Sequence, residues 1–303
     1  MTILPPYLKP GDTIGLVCPA GFMPEEKYQA CIETLTGIGY KVTVGQTPGH
    51  QYHYFSGTDE ERINDLQQMM DDKNIKAILC ARGGYGTGRI IDKLNFKKFV
   101  RRPKWIIGFS DITVLHNHIF TNYNIATMHA PMAAAFNDGE WNNPYVQSML
   151  DAISGKKANY ITSGNAMDQP GKATGRLVGG NLALLTHLIG TKSDIDTRNK
   201  ILFIEDIGEY IYNVDRMMYQ MKRSGKLDRL KGLVIGRFSD IKDTDVPFGQ
   251  SVTEVIKAIV KDYDYPVCFD FPVSHDKENY ALKVGAGYKL TVKEGTVTLK
   301  ETH

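Results

Sequence analysis

Short apolar runs recur along the first half of the chain, each followed by a longer stretch with helical spacing. Residues 13–18 (TIGLVC) are a strand-like run that ends at Pro19, Ala20 and Gly21; residues 25–36 repeat apolar positions at helical intervals, and 40–44 (YKVTV) return to a strand. Thr58 with Glu61 three residues later predicts a capped helix over 62–70. Residues 76–80 (KAILC), 105–107 (WII) and 126–129 (ATMH) are further strands, with helices expected over 88–99 and 111–121. Strands alternating with helices predict a mostly parallel sheet covered on both faces. In such sheets, ligands bind beyond the carboxyl ends of the strands.

From about 137 to 175 the pattern lapses, and the glycines at 155, 164 and 171 punctuate the stretch as a linker would. Strands are expected again at 201–205, 233–236 and 266–270, with helices over 182–189, 214–223 and 251–262 and a hairpin over 289–299 around Glu294-Gly295. The fold class predicted is α/β: an N-terminal domain over 1–155, a linker over 156–174 and a smaller, strand-rich C-terminal α/β domain over 175–303. A chain of 303 residues is long enough for two cores of this size.

Charge narrows the partners little. With 36 Lys and Arg against 34 Asp and Glu the net charge is +2, and no basic stripe marks a nucleic-acid surface. The start lacks the basic and apolar regions of a secretory signal, and no run approaches the roughly 18 apolar residues that cross a bilayer, so a soluble cytoplasmic protein is expected. The four cysteines are widely spaced, which predicts buried thiols rather than a disulfide framework, and none has metal-ligand spacing.

Candidate chemistry gathers after the strands. Ser110, in Gly108-Phe109-Ser110-Asp111, falls where a buried strand turns into a helix, the position of a nucleophile elbow. The Gly-x-Ser-x-Gly pattern is only partly met, since Ile112 takes the second glycine position, and the same two polar residues also read as a helix cap. Arg82-Gly-Gly-Tyr-Gly-Thr-Gly88 follows the preceding strand; it lacks the Lys-Ser/Thr ending of a phosphate loop and the spacing of a dinucleotide loop, leaving an oxyanion loop or a plain turn. A serine nucleophile needs a base. His275, in a polar loop past a strand, and His129, at a strand end, both qualify; His116 and His118 lie two apart on one helix, and His187 falls in an apolar helix. For the acid that orients the histidine, Glu205 ends an apolar strand, with Asp206 and Glu209 as rivals and pairing to an Arg or Lys as the plain alternative.

Together and in this order, the segments 8–20 (LKPGDTIGLVCPA), 81–86 (ARGGYG), 108–111 (GFSD), 175–182 (GRLVGGNL), 203–206 (FIED) and 272–275 (PVSH) resemble the LD-carboxypeptidase family, serine peptidases that include murein tetrapeptide carboxypeptidases and microcin C immunity peptidases. The resemblance implies Ser110 as nucleophile, His275 as general base and then acid, and Glu205 as the residue orienting it. It further implies an oxyanion hole from the backbone N–H groups of Gly84 and Asp111, no cofactor, a homodimer, and removal of terminal D-alanine from cytoplasmic muropeptides in murein recycling. Arg82, Tyr85, Asn181 and Glu278 flank these motifs as candidates for binding a polar, zwitterionic peptide. A peptidyl-nucleotide substrate, with Trp141 to stack on the base, and a non-enzymatic small-molecule binder are the other readings.

Overall fold

The computed structural model describes residues 2–137 and 143–302. The chain forms two compact units: residues 1–156 joined by 280–283, and residues 157–279 with 284–303.

In the first unit, strands β1 (Thr13–Val17), β2 (Lys41–Val44), β3 (Ile75–Cys80), β4 (Trp105–Gly108) and β5 (Thr127–His129) pair in parallel in the order β5-β4-β3-β1-β2. Helices α1 (Gln29–Gly37), α2 (Asp59–Asp71), α3 (Thr87–Ile90), α4 (Lys97–Arg101), α5 (Thr113–Tyr123) and α6 (Pro144–Ile153) surround it. The buried strand residues Ile14, Leu16, Leu79, Ile107 and Met128 share one cluster with Cys31 and Leu35 of α1 and Val146, Met149 and Ile153 of α6. The capping box expected at Thr58 and Glu61 forms in both directions and starts α2.

Two expectations in this unit change. The single helix read over 88–99 is broken into α3, a 3-10 turn and α4, because Leu94 turns to extended backbone and Asn95 is held by both ends of the Gln67 side chain while its own oxygen caps Lys97. Residues 144–153, read as part of a featureless lapse, form α6 with Asn143 as its cap and Val146, Met149, Leu150 and Ile153 buried at helical spacing.

The second unit holds β6 (Asn159–Ser163), β7 (Gly171–Asn181), β8 (Lys200–Ile207), β9 (Gly232–Ser239) and β10 (Val267–Cys268), with helices α7 (Leu182–His187), α8 (Ile211–Arg223) and α9 (Val252–Val260). The short strand β11 (Leu282–Val284) borders β5 in the first sheet; β12 (Gly287–Lys293) and β13 (Thr296–Glu301) then form the hairpin expected around Glu294-Gly295. The second sheet runs β10-β9-β8-β7-β12-β13-β6, parallel from β7 to β10 and antiparallel elsewhere. Residues 156–174 are therefore not a linker: β6 and the start of β7 are sheet members whose bonds run to β13 and β12, partners more than a hundred residues away. The strand read over 266–270 shrinks to two residues, since Asp168 takes the N–H of Phe269 and Asp270 has a positive φ.

Candidate active site

The Ser110 turn and the glycine loop both leave the first sheet from neighbouring parallel strands, β4 and β3, at their carboxyl ends. Phe109 remains extended, Ser110 has a φ of 62°, and one 3-10 turn over Ser110–Ile112 leads into α5. Six described non-glycine residues have positive φ, and five of them are Asn, Asp or His, the types that tolerate it; Ser110 is the exception. Holding a serine there costs about 1–3 kcal/mol. The plain reading as a helix cap fails, because no side chain makes a capping bond at the start of either the 3-10 turn or α5.

The glycine loop lies directly against this turn. A Cβ added at Gly83 would stand 3.0 Å from the Ser110 Cβ, 3.2 Å from the Phe109 carbonyl oxygen and 3.3 Å from the Asp111 nitrogen, so a side chain there would push the two turns apart by a few tenths of an ångström. Gly84 follows with a φ of +95°, a conformation that side chains resist, and a Cβ there would meet the Tyr54 hydroxyl at 2.9 Å. The glycine loop thus lies against the Asp111 backbone nitrogen, and backbone N–H groups at such a turn can receive developing negative charge. Beneath the turn, His116 bonds the Gly108 carbonyl oxygen through Nε2 at 2.8 Å. Burial lowers its pKa to about 4, so it stays neutral and donates that proton.

In the second unit, Glu205 is fully buried on β8, and its Oε2 accepts from Nδ1 of His275 at 2.6 Å; its partner is the imidazole, not an Arg or Lys. The loop carrying His275 is stitched to β9 by Phe271 N–H to Ile235 and Arg237 N–H to Val273, and Ser274 folds it back by accepting from Asp276 N–H and donating to the Glu278 carbonyl. Gly236 admits this loop: a Cβ there would lie 2.2 Å from the Val273 oxygen. Burial alone would lower the His275 pKa, but the charge and hydrogen bond of Glu205, reinforced by Asp206 and Asp276, outweigh it and raise the imidazole above its ordinary value. Asp206, the rival acid, points elsewhere. It accepts from Asn181 Nδ2 at 2.7 Å and from the N–H groups of Ala183 and Ile207, and burial beside Glu205 raises it to about 6.

Residues 14–130 match the model of the LD-carboxypeptidase N-terminal domain, and residues 174–290 match that of the LD-carboxypeptidase C-terminal domain. A probable murein peptide carboxypeptidase of Bacillus subtilis (strain 168) is 34% identical over 98% of this chain and 94% of its own length. The chain belongs to the LD-carboxypeptidase family. Among solved structures, muramoyltetrapeptide carboxypeptidase from Oxalobacter formigenes superposes with a TM-score of 0.86 at 28% identity, covering 96% of this chain and 99% of that one. MccF in complex with glutamyl sulfamoyl guanosine shares the fold, with a TM-score of 0.86 at 22% identity and 99% coverage of each chain. This LD-carboxypeptidase is an enzyme of the serine type, which sets aside the reading as a non-enzymatic binder.

The flanking candidates divide by exposure. Tyr85, within the glycine loop, is 56% exposed, and Arg82 donates to the Phe22 carbonyl from an exposed position. Asn181 is buried, giving Nδ2 to Asp206 and accepting from Leu184 N–H as the cap of α7. Glu278 pairs with Arg237. His129 is fully buried on β5 with its ring beside Phe109. Trp141 lies outside the described residues. Sequence reasoning passed over Arg62 and Tyr54. Arg62 is a fully buried cation on the otherwise amphipathic α2, and its position at the head of the apolar spacing of 62, 66, 69 and 70 was the available signal.

Proposed function

We propose that this enzyme removes the terminal D-alanine of a murein tetrapeptide by acyl transfer, with Ser110 as nucleophile, His275 as base and then acid, and Glu205 as the group that orients His275. The observation that carries the mechanism is the 2.6 Å hydrogen bond between His275 Nδ1 and the buried Glu205 carboxylate. It fixes the tautomer in which Nδ1 holds the proton, so that Nε2 is the atom that accepts one. Ser110 Oγ gives its proton to Nε2 and attacks the penultimate carbonyl carbon; the backbone N–H groups of Gly84 and Asp111 stabilise the resulting oxyanion. Collapse breaks the amide bond, and Nε2 returns the proton to the departing D-alanine nitrogen. Water then repeats the cycle on the ester, with Nε2 again taking and returning a proton. The names of the Bacillus and Oxalobacter relatives support the murein substrate, and on this reading it is a cytoplasmic recycling product.

Incubation with L-Ala-γ-D-Glu-meso-diaminopimelyl-D-Ala is expected to release free D-alanine, detected by mass spectrometry, while the same peptide ending in L-alanine stays intact. No release from the tetrapeptide, with cleavage of an aminoacyl sulfamoyl adenylate instead, replaces murein by a peptidyl-nucleotide as the substrate.

The raised His275 pKa gives a pH dependence with a definite sign. Only the neutral imidazole accepts the serine proton, so kcat/KM rises with pH through an apparent pKa above the ordinary 6.5. A pH–rate profile whose acidic limb lies below that value contradicts His275 as the base.

A further inference from the structure

The peptide group joining Gly86 to Thr87 is gripped at both ends by buried side chains of opposite charge. Its carbonyl oxygen accepts from Nη1 of Arg62 at 3.1 Å, and its N–H donates to Oδ2 of Asp111 at 2.7 Å. The same Nη1 donates to the Pro19 carbonyl at 2.7 Å, which ties the loop after β1 to the glycine loop, and Nη2 pairs with Asp59. Arg62 is fully buried and Asp111 is 1% exposed. Burying two such ions costs several kcal/mol each unless both are compensated, an expense that a plain surface turn does not require.

The location gives the expense a purpose. Three of the four residues in Gly83-Gly84-Tyr85-Gly86 are glycines, whose peptide planes rotate with little steric resistance, so the direction of an N–H in this loop is not fixed by local sterics. Asp111 has a second connection to the same machinery: its own backbone nitrogen adjoins Ser110 and Gly83. A carboxylate on that residue, bonded to the far end of the glycine loop, couples the nucleophile turn to the loop opposite it.

We propose that Arg62 and the Asp111 carboxylate are positioning residues that lock the Gly86–Thr87 peptide group and so keep the Gly84 and Asp111 N–H groups aimed at one point beside Ser110. This rests on the acyl-transfer reading. A preset donor stabilises charge without reorganising during the reaction, whereas a loop free to rotate must be reordered in each turnover.

A fluorophosphonate, whose tetrahedral adduct on Ser110 needs the oxyanion hole but no murein recognition, separates the two ideas. Asp111→Ala, which removes the acceptor for the Thr87 N–H, and Arg62→Met are expected to slow labelling of Ser110 by about tenfold or more, the scale of a damaged oxyanion donor. Tetrapeptide affinity, measured in the Ser110→Ala background, should change little, and Arg62→Lys, which keeps the charge and one donor, should recover part of the labelling rate. Labelling at the wild-type rate in folded variants, or a parallel loss of labelling and affinity, overturns the proposal. In the wild-type protein, hydrogen exchange at the Thr87 amide should be orders of magnitude slower than at exposed loop amides. Fast exchange there overturns the clamp even if neither variant folds. Absence of Ser110 labelling in the wild-type enzyme overturns the acyl-transfer reading instead, and Thr87 exchange still decides the clamp.

Discussion

Ser110→Ala is expected to lower kcat for D-alanine release by about 10⁴-fold or more, with tetrapeptide binding close to that of the wild-type enzyme. In the proposed mechanism the hydroxyl forms the acyl bond, and its loss leaves only the amide donors and substrate positioning to act on water. The variant should also be no less stable. Ser110 makes no capping bond at the start of the helix that follows it, so removing the oxygen leaves no buried partner unsatisfied. Alanine inherits the left-handed φ of 62°, so the backbone strain stays and the turn keeps its shape. Steady-state kinetics with calorimetric binding of the tetrapeptide check both halves. A variant that keeps more than about a hundredth of wild-type turnover removes Ser110 from the mechanism, because a nucleophile is not replaceable by its neighbours.

Glu205→Gln is expected to cost about 10³- to 10⁴-fold in kcat, through the proton rather than through the fold. The carboxylate accepts from Nδ1 at 2.6 Å and stabilises the imidazolium that forms when His275 takes a proton. A glutamine in the same buried place can present its NH₂ to Nδ1 and move the imidazole proton to Nε2, which then is a donor and cannot act as a base. Glutamine has almost the same volume and can keep a hydrogen bond to Nδ1, so the protein should still fold cooperatively, with a melting temperature lowered by the lost charge–imidazole attraction. Kinetics paired with thermal melting separate this outcome from simple unfolding. Asp206→Asn is the contrast: its carboxylate serves Asn181, Ala183 and Ile207 and makes no bond to the imidazole, so its loss should be much smaller than that of Glu205. Equal losses for the two acids contradict the assignment.

Much of the candidate site was nominated from the residues because its parts sit at places that local chemistry marks. Ser110 stands where an apolar strand gives way to a helix, the glycine loop follows the strand before it, and Glu205 interrupts an apolar run where a carboxylate needs a reason to be. The choice between Glu205 and Asp206 was not legible. Adjacent residues on a strand point to opposite faces, so spacing says that only one can reach a given histidine but not which face that histidine occupies. In the second unit the stitching of the 271–275 loop onto β9, admitted by Gly236, decides for Glu205. His129, equally plausible on the page, turns out to be packed within the first sheet.

The amino-acid order by itself determined the alternation of strands and helices in the first unit, the capped start of α2, the terminal hairpin and the short list of reactive groups, since each follows from periodicity or from contacts within a few residues. Only the tertiary structure decided that 159–163 and 171–174 belong to a sheet, that Gly83 lies against the Ser110 turn, and that Arg62 and Asp111 share one peptide group. Those are pairings between residues 24 to more than 100 positions apart, and hydrogen bonds of that span leave no periodic trace in the chain that makes them.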